Sequence, residues 1–246
     1  MKTAKPAYLT DNDWELLNQK YKNMHRVVRK LKKNYPVQYL IGNVNFYGYE
    51  ILVNKKVLIP RFETETLVEK TIEYIKKYNL EDTNVLEIGT GSGCISIALK
   101  KEIPTLNITS IDKSKKALTI AKKNINKNKV NINLIRENAF KYKPINRYGV
   151  LISNPPYLSK DEKIDKQCKY EPKIALFAKN NGLKFYEHII KSSTKYMNEK
   201  SILAFEIGYK QGPYLKKYAK KYYPNAKIKV EKDLANKDRY LFIINE

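Results

Sequence analysis

The sequence is poor in residues that build covalent or metal-bound frameworks, with 2 cysteines and 2 histidines among 246 residues. Cys94 and Cys168 lie far apart and form no C-x-x-C pair, so a disulfide framework is not expected and a reduced, cytoplasmic setting fits. With only His25 and His188 beside them, a zinc-type ligand cluster is excluded and no metal is expected. No apolar run approaches the ~20 residues needed to cross a bilayer, so no membrane role is expected. The opening MKTAKPAYLTDNDWELL carries acids and a tryptophan and has no apolar stretch of a secretory signal.

Arginine is scarce too. Six of the 48 basic residues are arginine (26, 29, 61, 136, 147 and 239), which leaves 42 lysines; against 25 acids the net charge is +23. Such a charge suits nucleic acid or another anionic surface. An AT-rich genome, which enriches lysine, asparagine, isoleucine and tyrosine, also accounts for it. The lack of bidentate arginine forks favours this second reading, so a nucleic-acid partner is possible but not required.

What the chain does have is size and alternation. With 42% hydrophobic residues it can bury one large α/β domain with a small appendage. Internal repeats are absent. Residues 12–33 have helical spacing, and 1–35 read as a short helical N-terminal segment. Residues 38–54 are strand-like and split by Gly42 and Gly48, which predicts a hairpin. Residues 57–78 pass through a proline turn into a helix capped at Thr64, so 36–80 read as hairpin and linker helix. From residue 84, strands at 84–89, 107–112, 132–135, 148–153 and 201–208 alternate with helices at 94–101, 114–128, 183–197 and 211–223. Two closing strands, 226–232 and 239–245, can pair as a hairpin. This predicts an α/β, Rossmann-like sheet with helices on both faces over 81–246.

Two loops carry chemistry. EIGTGSG, 87–93, follows a buried strand and opens a helix. Gly89, Gly91 and Gly93 permit a tight turn that brings a ligand close to main-chain N–H groups. The dinucleotide pattern fails, because its third glycine falls on Ser96, and so does the P-loop. A ligand with one ribose and an amino-acid tail fits better. Asp112, at the end of the next strand, can accept both ribose hydroxyls or cap the helix that begins near Ser114. Cys94 reads as a small packed residue, and the aromatic stretch 46–49 as hairpin packing.

The second loop ends YGVLISNPPYLS, 148–159. Two adjacent prolines stop any ladder or helix and stiffen the turn. In a doubly wound sheet this strand lies beside 84–89, so Asn154, Pro155, Pro156 and Tyr157 face whatever the glycine loop holds.

Asn-Pro-Pro-Tyr after such a strand resembles the signature of S-adenosylmethionine-dependent methyltransferases that act on planar –NH2 groups. Residues 38–69, with Pro-Arg-x-Glu-Thr-Glu, are similar to the segment preceding the catalytic domain in release factor glutamine methyltransferases (the HemK type). YEPKIALFAKNNGLKFYEHII, 170–190, and EIGYKQ, 206–211, match that family in order and spacing. The resemblance covers roughly residues 36–246. It implies that Gly89, Thr90, Gly91, Ser92 and Gly93 wrap the methionine part of S-adenosylmethionine, Asp112 holds its ribose, and Asn138 and Ala139 lie against adenine. It implies that Asn154 and the Pro155 carbonyl accept hydrogen bonds from the substrate amide, with Tyr157 packed on the amide plane. Arg61, Glu63 and Glu65 fall near the active-site mouth in this family; a charged helix N-terminus is the plainer reading of them. The chain departs from the family at Phe62 (usually proline), Asn138 (usually an acid), Lys179 and Asn181 (typically glycine and aspartate), and in a shorter region ahead of residue 36.

The function so implied is methylation of the side-chain amide nitrogen of the glutamine in the Gly-Gly-Gln loop of peptide chain release factors, by a monomer. Two rivals stand beside it. A DNA or RNA amino-methyltransferase (adenine N6 or guanine N2) would use the same loop, although no inserted target-recognition domain is present. A binding protein on a decayed methyltransferase scaffold is the other.

Overall fold

The structure, a computed structural model, describes residues 4–246. Two capped helices come first, α1 (Asp11–Lys20) and α2 (Met24–Leu31); the side chain of Thr10 accepts the Asp13 amide and that of Asn23 accepts the Arg26 amide. Leu9, Leu17, Val27 and Leu31 pack with Leu40 into a small core of their own. A short helix, α3 (Val37–Ile41), then takes up residues expected to be strand. A brief apolar run does not separate a buried helical turn from a strand, and here Gly42, at φ +98°, ends the turn in the left-handed region.

The expected hairpin follows, β1 (Asn43–Phe46) antiparallel to β2 (Tyr49–Leu52). Its turn residues Tyr47 and Gly48 both have positive φ, the geometry that matches a hairpin's twist. Helix α4 (Phe62–Lys77) starts one turn earlier than a Thr64 cap requires. Arg61 is the cap residue without a side-chain bond, while Thr64 is buried and donates its hydroxyl to Glu206 at 2.6 Å. Instead of accepting a helix amide as a cap would, the hydroxyl donates a charge-assisted bond to a buried carboxylate.

The main sheet has seven strands: β3 (Asn84–Ile88), β4 (Asn107–Asp112), β5 (Asn133–Arg136), β6 (Tyr148–Ser153), β7 (Met197–Glu206), β8 (Lys227–Lys232) and β9 (Asp238–Asn245), in the order β5-β4-β3-β6-β7-β9-β8. The first five run parallel, and β9 is antiparallel to both β7 and β8, as the closing hairpin predicts. Helices α5 (Cys94–Glu102), α6 (Lys115–Asn128), α7 (Lys173–Leu176), α8 (Lys184–Ser193) and α9 (Gly212–Tyr222) complete the layers.

Strand alternation sorts side chains onto two cores. Val85, Val150 and Ile202 face one with the hairpin, α4 and α5; Leu86, Leu151 and Leu203 face the other with α8 and α9. One buried polar residue ties the pieces together. Asn124 of α6 accepts the Leu52 amide at 2.8 Å and donates to the carbonyls of Leu52 (3.0 Å) and Ser92 (2.9 Å). Strand order reverses between β3 and β6, and the carboxyl ends of these two strands define the place where such sheets take ligands. Among the described residues no helix is long and apolar enough to cross a membrane.

Candidate active site

The glycine loop leaves β3 with φ values of +83° at Gly89, +55° at Gly91 and +84° at Gly93. The amides of Gly89 and Thr90 both donate to the Ile111 carbonyl, at 2.8 and 3.1 Å, which holds the loop against β4. Its members then divide. Thr90 and Ser92 are buried; Thr90 donates to Glu87 at 2.6 Å, and Ser92 offers its carbonyl to Asn124. A Cβ on Gly93 would lie 3.4 Å from that of Ala121, so this glycine permits close packing of α5 on α6. A Cβ on Gly89, by contrast, would meet nothing within 4 Å. Gly89 and Gly91 therefore form the open wall of a cleft that Asn154, Pro155 and Pro156 also line. Burial pushes the Cys94 thiol up to about 12, in keeping with a packed, unreactive residue.

Asp112 is not the cap of α6, a place that Ser114 takes, but it braces both the entry to that helix and the glycine loop. Its Oδ1 accepts the Ser114 amide at 2.8 Å, ahead of the Ser114 cap of α6, and Oδ2 accepts the Gly91 amide at 3.0 Å. The carboxylate also lines the cleft, where its remaining lone pairs are open to a diol. Burial raises its pKa, opposed by those two amides and by Lys113. Asn138 and Ala139 line the same cleft with Phe185. The Asn138 side-chain oxygen accepts the Phe140 amide at 3.1 Å, so it braces its own turn.

At the end of β6, Ser153 donates to the Ile88 carbonyl at 2.6 Å and locks this strand end to β3. The Asn154 amide nitrogen donates to Glu206 Oε2 at 2.8 Å and to Thr64 Oγ1 at 3.0 Å. No protein donor reaches Asn154 Oδ1 or the Pro155 carbonyl among the described residues. The Tyr157 hydroxyl donates to Glu206 Oε1 at 3.3 Å, and burial raises the pKa of this phenol. Tyr157 lines a neighbouring cavity beyond the loop, with Tyr209 and Tyr214. The Tyr157 carbonyl accepts Gln211 Nε2 at 3.1 Å, so both ends of the tetrapeptide are anchored.

A lead-in segment, through Val57 and Leu58, and a later loop, through Pro172 and Ala175, both line the cleft. They are latched by Glu171, which is buried, pairs with Arg61 and accepts the Ile59 amide at 3.0 Å. The Arg61 guanidinium is thus committed to Glu171. Glu63 is half-buried and sits close enough to Glu206 and Tyr157 to raise both of their pKa values.

Sequence reasoning missed Glu206, Thr64 in its present role, and Glu171. Their signals were in view, in EIGYKQ and YEPKIAL. What was lacking was the pairing of β7 beside β6, which brings residue 206 to residue 154.

Comparison with known proteins agrees with this architecture. The sequence pattern of the methyltransferase small domain matches residues 64–170. The release factor glutamine methyltransferase of Enterococcus faecalis is 37% identical over 238 residues, covering 96% of this chain and 85% of that protein. The protein of the same name from Flavobacterium psychrophilum is 38% identical over 236 residues, covering 93% and 82%. That of Fusobacterium nucleatum is 41% identical over 197 residues, which is 78% of this chain and 55% of that protein. Among solved structures, a methyltransferase from Pyrococcus furiosus superposes with a TM-score of 0.59 at 18% identity, covering 91% of this chain and 99% of its own. A 16S rRNA methyltransferase from T. thermophilus, solved with AdoMet and guanosine, gives 0.58 at 12% identity, covering 83% and 50%. At these identities the two structures speak for the fold alone.

Proposed function

Since the chain belongs to the release factor glutamine methyltransferases, we propose that it uses its Asn-Pro-Pro-Tyr loop to methylate the side-chain amide nitrogen of the glutamine in the Gly-Gly-Gln loop of peptide chain release factors. The observation that carries this reading is the state of the Asn154 amide. Its nitrogen is taken up by Glu206 and Thr64, and its oxygen is left to the cleft beside the Pro155 carbonyl.

The cleft fits S-adenosylmethionine. Gly89 and Gly91 offer an open main-chain wall without side chains, Asp112 a carboxylate for a ribose diol, and Ile88, Ala139 and Phe185 an apolar surface for a base. When bound, this cofactor supplies a methyl group activated by a sulfonium. Everything else falls to the protein. An amide nitrogen is a poor nucleophile because its lone pair is delocalised into the carbonyl. Two acceptors fixed by a proline-stiffened turn bind the –NH2 protons, hold the nitrogen in place and favour its pyramidal form. Positive charge builds on nitrogen only as the methyl arrives, so a base is not needed beforehand; among the described residues no histidine lines the cleft, and His188 is held on the Ala139 carbonyl behind it. Glutamate offers no donors to these acceptors, and a site of this kind discriminates by ~10⁴ or more.

Arg61 contributes through its latch to Glu171, which keeps the lead-in segment over the cleft. Tyr157, anchored on Glu206, would lie against the amide plane. The helical segment 1–35, the hairpin and linker 36–80, and the methyltransferase domain 81–246 would then serve docking, closure and chemistry in turn.

The deciding experiment incubates the protein with methyl-labelled cofactor and either a release factor or bulk nucleic acid. Label on the release factor, lost when its glutamine is replaced, supports the reading. Label in nucleic acid alone replaces it with an amino-methyltransferase of bases.

A further inference from the structure

Glu206 stands outside every role given above to the loop itself, yet it is the point at which that loop is held. It closes β7, is 2% exposed, and receives three side-chain donors: Asn154 Nδ2 (2.8 Å) and the Thr64 hydroxyl (2.6 Å) on Oε2, and the Tyr157 hydroxyl (3.3 Å) on Oε1. Its backbone carbonyl accepts the Tyr186 hydroxyl at 2.7 Å, which fixes the end of the strand as well.

These bonds have a direction. An ionised carboxylate only accepts, so Thr64 must donate to Glu206 and can in turn accept from Asn154. The Asn154 –NH2 thus faces two acceptors that lie side by side, Glu206 Oε2 and Thr64 Oγ1, themselves 2.6 Å apart. The amide group cannot be turned over without aiming Oδ1 at a carboxylate. From this geometry we propose that Glu206, with Thr64, is a positioning residue that selects the orientation of the Asn154 amide, keeping Oδ1 toward the substrate –NH2. The inference rests on the methyltransferase reading above and deepens it, turning Glu206 from an anchor into the group that sets which way the Asn154 amide faces.

The three side-chain donors on Glu206 suit its ionised form, although the net effect of its surroundings is to raise its pKa. Burial works against its charge, and Glu63 of α4 adds to this. Thr64 of α4, Tyr157 of the loop and Arg239 of β9 work the other way. Arg239 is itself tied down, with Nη1 on the Ile207 carbonyl at 3.3 Å and Nε on Asp233 at 3.1 Å. A protonated Glu206 could donate to Oδ1 and tolerate the inverted amide, which would present two donors to a substrate that also brings donors.

The test has two arms on the full chain. In the first, exchange of the Asn154 side-chain amide protons with water is followed by NMR without cofactor or substrate. Slow exchange in the native protein, sped up at least tenfold by Glu206→Gln and by Thr64→Val, supports the proposal; fast exchange in the native protein overturns it. In the second, Glu206→Gln is expected to lower kcat by ~10–100-fold, the worth of a hydrogen bond to a charged group, with KM for the release factor changed less than threefold. Placed on Asn154→Ala, the same substitution should cost less than a further threefold, because the residue it orients is gone. An equal loss in both backgrounds would assign Glu206 to structure only and overturn the proposal. Should Glu206→Gln fail to fold, Thr64 carries the test: Thr64→Val loses turnover and Thr64→Ser restores most of it, whereas equal activity of the two overturns it. If the native protein transfers no methyl to release factors, the functional reading fails on its own, and the exchange arm still decides this inference.

Discussion

A Cβ added to Gly182 would lie 1.9 Å from the carbonyl oxygen of Tyr157. The segment around Gly182, at φ +81°, therefore packs directly on the back of the Asn-Pro-Pro-Tyr turn, at a distance only glycine permits. Gly182→Ala is expected to cost about 2–4 kcal/mol from left-handed strain plus overpacking. It should lower turnover more than cofactor affinity, since it shifts the loop and leaves the glycine wall intact. Urea unfolding and calorimetric titration with the cofactor check the two halves.

Asn154→Ala removes the oxygen assigned to the substrate amide. Turnover on the release factor is expected to fall ~10²–10³-fold while cofactor affinity stays within about threefold. A loss under tenfold in single-turnover assays would sink the acceptor role.

The Arg61–Glu171 latch predicts an asymmetry. Arg61→Met leaves a buried carboxylate with one amide donor, Ile59, and no cation. A cost of about 2 kcal/mol is expected, below that of a fully buried pair because Arg61 is partly exposed. Glu171→Gln, which leaves only the partly exposed Arg61 guanidinium without its partner, should cost less. Both should weaken cofactor binding by loosening the two cleft walls, measurable by calorimetry.

Glu87 predicts a pH dependence. It is fully buried, and desolvation raises its pKa against hydrogen bonds from Ser96, Thr90 and Ser110. An acid with a raised folded pKa keeps its proton to higher pH when folded than when unfolded. The folded state then binds more protons between the ordinary carboxylate range and the raised value, so stability falls as pH rises through that window. Glu206, raised in the same sense, adds to the fall. Glu87→Gln should make the decline shallower without abolishing it, as read by denaturant unfolding from acid to neutral pH.

Much of the fold could be read in advance because its signals are local. Val150, Leu151 and Ile152 form a run apolar at every position, as a sheet covered on both faces requires, and β3 is the same but for Glu87 within it. The glycine turn and the proline pair announce their own backbone. Residues 38–41, expected as strand, misled for the same reason, since so short a stretch carries no period. Thr64 was misplaced because a threonine before a helical run fits a cap, and nothing local reveals a carboxylate 142 positions away. Glu206 and Glu171 escaped for that reason too: their partners come from other strands and loops, and a buried acid in sequence looks like any other acid.

Asn124 carries one more consequence. Its single amide serves the hairpin at Leu52, the glycine loop at Ser92, and the helix between them. A fragment cut to the methyltransferase-like part alone would break both bonds of that amide to Leu52 and uncover the face of α6 that the hairpin shields. The hairpin is thus no detachable adaptor. Any attempt to graft a foreign recognition module in its place must supply an amide and a carbonyl at the same spot, or the cofactor loop will lose its footing along with the graft.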